Sequence, residues 1–241
     1  EFCVKNVEPV AAEIDEKETF PKESVKVLAE NGLLGVQIPE AYGGAGAGML
    51  AMVLVVEEIA RVCASTSVIL TTQALASDPL LLAGTEDQKK HFLYRLASGD
   101  CLGACGITEP GAGSDVAGMK TTAKKVDGGY LLNGAKIFIT NGGEAQIVTV
   151  LAYTDKDKGN RGISMLILEK GDAGFSVGKH EHKMGMHGSD TRELVFEDVW
   201  KSQTKVRHKN SKADYEFNRL LDGKPWKSAH HELSLELITE L

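Results

Sequence analysis

A glycine-rich polar stretch at residues 106–115 (GITEPGAGSD) holds the residue types best suited to binding a ligand. Gly111 and Gly113 allow the backbone to approach a bound group closely, and Thr108 and Ser114 place hydroxyls beside exposed amides. That combination suits a phosphate or a polar heterocycle. Taken by itself, the stretch is explained equally well as a tight polar loop that joins a helix to a strand.

Three histidines, His180, His182 and His187, have the chemistry of metal ligands. Their alternation on a predicted β segment, with Lys179 and Lys183 alongside, is more typical of a solvated strand face. No metal site is predicted from them.

The cysteines predict packing rather than chemistry. Cys101 and Cys105 lack the two-residue gap of zinc and redox motifs, and four cysteines in 241 residues are too few for a disulfide scaffold. A reducing compartment is therefore expected.

A second glycine run, residues 43–48 (GGAGAG), has the composition of a dinucleotide-binding loop. It lies between two predicted helices with no βαβ unit around it, so a flexible connector is the better interpretation.

The first hundred residues predict helices that would carry these loops. Apolar side chains recur at three-to-four spacing over 21–34 and again over 49–64, where a narrow polar strip indicates a helix central to a bundle. A third helix is expected to begin at a capping box formed by Thr85 and Gln88 and to end at Gly99.

Beyond residue 100 the sequence changes to short β-branched runs separated by the turn dipeptides Asp127-Gly128, Asn133-Gly134 and Asn141-Gly142. The predicted strands are 130–133, 135–140, 147–153, 163–169, 175–177 and 193–196.

Helices followed by strands, without alternation, predict an α+β protein with an N-terminal helical bundle and an antiparallel β-barrel or sandwich. The expected domains are 1–99 (helical), 100–199 (β) and a tail over 200–241. The tail has 8 Lys or Arg against 6 Asp or Glu, and only 233–241 shows helical apolar spacing.

The overall charge of -7 argues against a general nucleic-acid binder, and the absence of a long apolar run argues against membrane insertion. A soluble protein without a signal peptide is expected.

Five ordered segments together resemble the acyl-CoA dehydrogenase family. They are 38–44 (IPEAYGG), 84–89 (GTEDQK), 107–118 (ITEPGAGSDVAG), 133–142 (NGAKIFITNG) and 189–199 (SDTRELVFEDV). The resemblance covers residues 3–199, and the helices-then-strands order is that family's layout.

The resemblance implies an FAD-dependent α,β-dehydrogenation of a fatty acyl-CoA. Residues 154–162 and 183–187 look most like bacterial short-chain, butyryl-type members. It also implies an electron-transfer flavoprotein as acceptor, a homo-oligomer of the full-length subunit, and the bacterial cytoplasm rather than the mitochondrial matrix.

By the same resemblance, eight residues would line the flavin: Cys105, Ile107, Thr108, Gly113, Ser114, Phe138, Ile139 and Thr140. Thr108 would lie at the edge of the isoalloxazine, and Ser114 near the pyrophosphate and the CoA chain, so that Ser114 also binds substrate. Phe138 occupies the place of a Trp in many members and would stack on the flavin.

No catalytic residue is predicted. The family's base is a Glu of a C-terminal helical domain, and the resemblance ends at Val199, so this four-helix domain is expected to be missing. Glu109 is a weak substitute, and the carboxylates of the tail, Glu232, Glu236 and Glu240, are weaker still. The alternative hypothesis is a non-catalytic FAD- or CoA-binding remnant, or a subunit that needs a partner chain.

Overall fold

Helices occupy the first hundred residues of the computed structural model, which describes residues 1–202 and 206–207. They are α1 (Phe2–Asn6), α2 (Glu8–Lys17), α3 (Lys22–Glu30), α4 (Gly48–Ala60), α5 (Ala64–Ala83), α6 (Glu86–Gln88) and α7 (Tyr94–Ser98). A π-helical turn, Lys89–Leu93, joins the last two helices into one continuous stretch.

The capping box at the start of this last stretch is confirmed. The Thr85 hydroxyl accepts from the Gln88 amide at 3.2 Å, and Gln88 Oε1 accepts from the Thr85 amide at 2.8 Å. The stretch ends at Gly99, whose φ of +80° suits glycine.

Helix α4 has a more exposed position than its sequence predicts. Met52 and Ile59 are buried, but Met49, Leu50, Val53 and Leu54 are 45–62% exposed. In this chain the helix packs through one side only, and an apolar stripe remains at the surface.

Eight strands follow the helices. They are β1 (Gly103–Gly106), β2 (Thr122–Val126), β3 (Gly129–Thr140), β4 (Ile147–Tyr153), β5 (Ile163–Glu169), β6 (Phe175–His180), β7 (Thr191–Ser202) and β8 (Val206–Arg207). They form one curled sheet in the order β6-β7-β3-β2-β4-β5-β8, with β1 paired to β4. The predicted α+β class, helices first and a β domain second, is confirmed.

The sheet is mixed, whereas the sequence predicted antiparallel pairing throughout. Strands β1 and β2 both run parallel to β4. The sequence argument assumed that short turns join neighbouring strands, but the β2–β3 hairpin lies between β1 and β4. This long connection makes parallel pairing possible.

Two of the three predicted turns are confirmed and one is wrong. Asp127-Gly128 joins β2 to β3, and Asn141, at φ +61°, turns the chain after β3. Asn133-Gly134 lies inside β3, where the pairing with β7 shifts register. Gly134 adopts φ +141° there, so its conformational freedom serves a bulge.

An apolar cluster holds the helices against the sheet. It combines side chains of both parts: Ile38, Leu80, Phe92, Leu93, Leu96, Ala97, Cys101, Ile147 and Ile167. Since burial of such side chains is the main stabilising contribution to a fold, this cluster joins the helices and the sheet into a common structure.

The predicted tail lies almost entirely outside the described residues, including the expected helix over 233–241 and Glu232, Glu236 and Glu240. Strand β7 continues beyond Val199 to Ser202. Among the described residues, the helices are too short or too polar to cross a membrane.

Candidate cofactor site

Two segments singled out in the sequence lie side by side in the structure. The amide of Ile137, on β3, donates to the Thr108 carbonyl at 2.9 Å. The neighbouring Lys136 donates its ammonium to the Ile107 carbonyl, also at 2.9 Å. The glycine-rich loop is therefore attached to the strand that carries Phe138.

The loop itself is compact at its beginning. Glu109 and Ala112 exchange backbone hydrogen bonds of 2.9 and 3.1 Å around Pro110 and Gly111. Ala112 and Met119 then anchor the loop in a small apolar cluster with Leu151 and Tyr153, from β4. This part of the loop is therefore held by its own hydrogen bonds and by apolar packing.

A buried ion pair lies beneath the loop. Lys136 is completely buried and Glu109 is 6% exposed, with 2.8 Å between the ammonium and Oε1. Glu109 also accepts from the amides of Lys120, at 2.6 Å, and Thr121, at 3.1 Å. Each carboxylate oxygen therefore has a partner of its own.

The electrostatics of this pair follow from its burial and its hydrogen bonds. Burial alone raises the pKa of Glu109, but the hydrogen bonds from Lys120, Lys136 and Thr121 outweigh it and lower the pKa of this carboxyl. Burial lowers the pKa of Lys136, and Glu109 partly offsets that effect. A carboxylate with a lowered pKa and saturated oxygens is a poor general base.

Phe138 is the unusual residue of the strand. Its φ is +58°, rare for an aromatic residue, and its side chain is 59% exposed. The strain coincides with the register shift between Lys136 and Ile139 in the pairing of β3 with β7. Such strain commonly marks a functional position, because the surrounding structure must maintain it.

The eight predicted flavin-lining residues differ in what they can present. Gly113, Ser114 and Phe138 are exposed, and Ile107, Thr108 and Thr140 are half-buried. Cys105 and Ile139 are buried, so contact with a ligand would fall to their backbone atoms. Burial also raises the pKa of the Cys105 thiol to about 11, which keeps it protonated at neutral pH.

Gln73, on α5, is a supporting residue that the sequence analysis did not find. Its side chain is buried, donates to the carbonyls of Leu96 and Cys101, and accepts from the Gly103 amide at 2.7 Å. It thereby fixes the start of β1, the strand that leads into the loop. Lys136 was missed as well, since a Lys in an alternating strand normally indicates a solvated side.

The residues present fit a flavin. A Cβ at Gly111 or Gly113 would meet no atom within 4 Å, so the backbone is open to a ligand there. The loop supplies hydroxyls and amides, and β3 supplies an exposed aromatic ring, the groups that a phosphate-bearing heterocycle needs.

The histidines and cysteines singled out in the sequence have the following surroundings. No group of three potential metal ligands occurs in the part of the chain that the structure describes. His187 instead contacts Asp15 of α2, with 3.4 Å between Nδ1 and the carboxylate. All four cysteines are free thiols.

Comparison of the chain with models of known protein families identifies its family. Residues 1–100 match the acyl-CoA dehydrogenase N-terminal domain, and residues 104–199 match the middle domain. The chain belongs to the acyl-CoA dehydrogenase family. The resemblance found in the sequence is thereby confirmed.

Individual acyl-CoA dehydrogenases are similar over the same region. The short-chain-specific enzyme of Clostridium acetobutylicum is 47% identical over 200 residues, which are 83% of this chain and 53% of that protein. The chain thus spans about half the length of the curated relatives it matches.

Solved structures are similar too. Butyryl-CoA dehydrogenase from Megasphaera elsdenii has a TM-score of 0.83 at 44% identity, covering 89% of this chain and 57% of that one. A chain from a study of the electron transferring flavoprotein of Acidaminococcus fermentans has a TM-score of 0.85 at 41% identity, with 89% and 57% covered. An acyl-CoA dehydrogenase complexed with FAD from Bacillus anthracis has 0.79 at 36%, with 86% and 36% covered.

Residues 187–241 also match a different description, the fourth domain of the BREX ATP-binding protein BrxC, with a six-stranded β-sheet. This match begins inside the acyl-CoA dehydrogenase middle domain and lies mostly outside the described residues.

Proposed function

We propose that this chain forms the flavin-facing part of an FAD-dependent dehydrogenase that converts a short-chain acyl-CoA to the enoyl-CoA. The observation that carries the proposal is Phe138, an exposed ring held at positive φ on a strand that is hydrogen-bonded to the glycine-rich loop. The FAD complex and the butyryl-CoA dehydrogenase among the structural relatives support the cofactor and the substrate class.

The chain's own residues would bind and orient the reactants. The exposed Phe138 ring offers an apolar surface for stacking, and Thr108, a half-buried residue hydrogen-bonded to the strand through its carbonyl, would supply a hydroxyl to the edge of the flavin. Gly113 and Ser114 offer open backbone and a hydroxyl for the pyrophosphate and the CoA chain. The bound flavin would supply the oxidation, accepting a hydride from the β carbon while a carboxylate removes the α proton.

Glu109 is not that carboxylate in our proposal. Its oxygens are occupied by two amides and the Lys136 ammonium, and its lowered pKa weakens it as a base. In this first candidate the base would come from residues outside 1–202, whereas a base from another chain belongs to the second candidate.

The partners proposed are those of the family: the acyl-CoA substrate, an electron-transfer flavoprotein as acceptor, and further copies of the full-length subunit. Since the relatives named above are bacterial, we place the protein in the bacterial cytoplasm rather than in a mitochondrial matrix.

A second candidate is a flavin- or CoA-binding subunit that needs a partner chain to become active. The apolar stripe of α4, formed by Met49, Leu50, Val53 and Leu54, favours it, because a partner would bury these side chains.

One experiment separates the two. The purified chain is loaded with FAD and mixed anaerobically with butyryl-CoA while flavin absorbance is recorded. Bleaching supports an autonomous dehydrogenase, and bound FAD without bleaching supports the subunit. If FAD does not bind, the autonomous dehydrogenase is wrong, and the subunit is wrong too if butyryl-CoA does not bind to the chain.

A further inference from the structure

The Lys136–Glu109 pair connects two segments that are distant in the sequence at a point where both are buried. Lys136 belongs to β3 and Glu109 to the loop, and their charged atoms are 2.8 Å apart. The Lys136 ammonium donates in addition to the Ile107 carbonyl at 2.9 Å. One side chain therefore holds the loop at two residues, on either side of Thr108.

Net stability alone is a weak explanation for such a pair. Removing two charges from water is costly, and a well-packed apolar pair of similar volume is often as stable or more so. What an ion pair adds is direction, since charge-assisted hydrogen bonds require short distances and defined angles.

The Glu109 carboxylate makes the arrangement tighter. Oε1 accepts from Lys136 and from the Thr121 amide, and Oε2 accepts from the Lys120 amide at 2.6 Å. A shift of the loop by about 1 Å would weaken these three hydrogen bonds together, because such bonds are limited to about 3.2 Å.

We propose that Lys136 and Glu109 are positioning residues. Their ion pair fixes the position of loop residues 107–112 relative to β3, so that Thr108 and Phe138 can both contact the flavin. Neither residue touches the flavin in this proposal; each acts through the segment that it holds. This role rests on the proposed function, since it concerns the two walls of the flavin site.

Three variants of the 241-residue chain test the role. Lys136→Met leaves Glu109 charged and unpaired. The double variant Lys136→Met with Glu109→Leu replaces the pair by apolar side chains. Leu28→Ala is a control for loss of stability alone, because Leu28 is a completely buried residue of α3 and is far from the loop in the sequence.

Each variant is measured in three ways: by urea unfolding, by amide hydrogen exchange at Lys120, Thr121 and Ile137, and by FAD titration with the visible circular dichroism of the bound flavin. We expect Lys136→Met and Leu28→Ala both to unfold at lower urea. Only Lys136→Met should bind FAD about tenfold more weakly, with an altered dichroism spectrum.

The double variant decides between position and stability. We expect its urea midpoint to recover relative to Lys136→Met, while its Ile137 amide, whose acceptor is the Thr108 carbonyl, still exchanges faster than in the wild type and its FAD affinity stays about tenfold low. Wild-type exchange and wild-type FAD binding in the double variant would overturn the positioning role. If this variant does not recover stability, the comparison of Lys136→Met with Leu28→Ala decides: equal loss of FAD affinity overturns the role, and loss in Lys136→Met alone supports it.

Amide exchange keeps this test separate from the proposed function. If the wild-type chain does not bind FAD, the proposed function is wrong. The pair still stands as a device that positions the loop if exchange rises only at the three amides in Lys136→Met, and it fails if exchange there equals that of the wild type.

Discussion

The Ile137 amide donates a 2.9 Å hydrogen bond to the Thr108 carbonyl, which joins the glycine-rich loop to the strand that carries Phe138. The residue that precedes each partner is bonded as well: the Lys136 ammonium donates to the Ile107 carbonyl. The loop and β3, which form the two walls of the candidate flavin site, are thus connected through both backbone and side chain. A substitution in one wall should therefore shift the other.

Phe138→Gly should weaken FAD binding without destabilising the chain. Loss of the exposed ring removes a stacking partner, so FAD affinity is expected to fall about tenfold. Glycine tolerates φ +58°, and release of about 1 kcal/mol of strain offsets its larger freedom in the unfolded state. Urea unfolding and FAD titration measure the two effects.

Tyr94→Ala is the control for Phe138, because Tyr94 is equally exposed, at 59%, but lies on α7. It should leave FAD affinity unchanged. A loss of more than about 1 kcal/mol of unfolding free energy in Phe138→Gly would contradict the assigned strain.

Two glycine substitutions should affect different properties, FAD binding at Gly113 and stability at Gly134. A Cβ at Gly113 meets nothing within 4 Å, so Gly113→Ala should keep wild-type stability but weaken FAD binding by crowding the ligand. A Cβ at Gly134 would lie 2.8 Å from the Thr121 Cα at φ +141°, so Gly134→Ala should cost roughly 1–3 kcal/mol. Equal stability of the two variants in urea would refute this prediction.

Glu109 should make the chain sensitive to acid. Its folded pKa lies below its ordinary value of 4.5, so its contribution to stability is complete above pH 4.5 and is lost as pH falls through the folded pKa. Glu109→Gln should be about 3–5 kcal/mol less stable at pH 7, because Lys136 stays buried without a counter-charge. Urea unfolding from pH 7 to pH 3 should show the gap closing, and a constant gap would argue against the pair.

His187 should add a second pH dependence with the opposite sign. Its Nε2 lies 2.8 Å from the Lys183 carbonyl, and this hydrogen bond, with Asp15 and Glu18 nearby, raises the pKa of His187 above 6.5. A raised pKa gives stability that is complete below pH 6.5 and lost as pH rises through the folded pKa.

The variant His187→Asn should therefore be less stable than the wild type at pH 5.5 and approach it at pH 8.5, as read from urea midpoints. Asp15→Asn should reduce the same difference. A His187→Asn gap that widens with rising pH would show that the sign is wrong.

Local features of the sequence predicted much of this structure. The Thr85–Gln88 capping box, the Asp127-Gly128 turn and the limits of β4 and β5 followed from short-range rules of hydrogen bonding and periodicity. The glycine-rich loop could be singled out because its residue types are informative without their surroundings. The flavin-lining roles came from the family resemblance and stay predictions.

Only the tertiary structure decided what depends on partners distant in the chain. A Lys in a strand and a Glu in a loop carry no sign that they pair, since a separation of 27 positions in the sequence does not determine which segments meet. The same holds for the parallel pairing of β1 with β4, the bulge at Gly134 and the exposed stripe of α4. The sequence alone determined α3, α4 and the stretch from α6 to α7, two of the three predicted turns and the polar loop, because these depend on neighbouring residues. The burial of Lys136 beneath that loop depends on packing, and the fold alone established it.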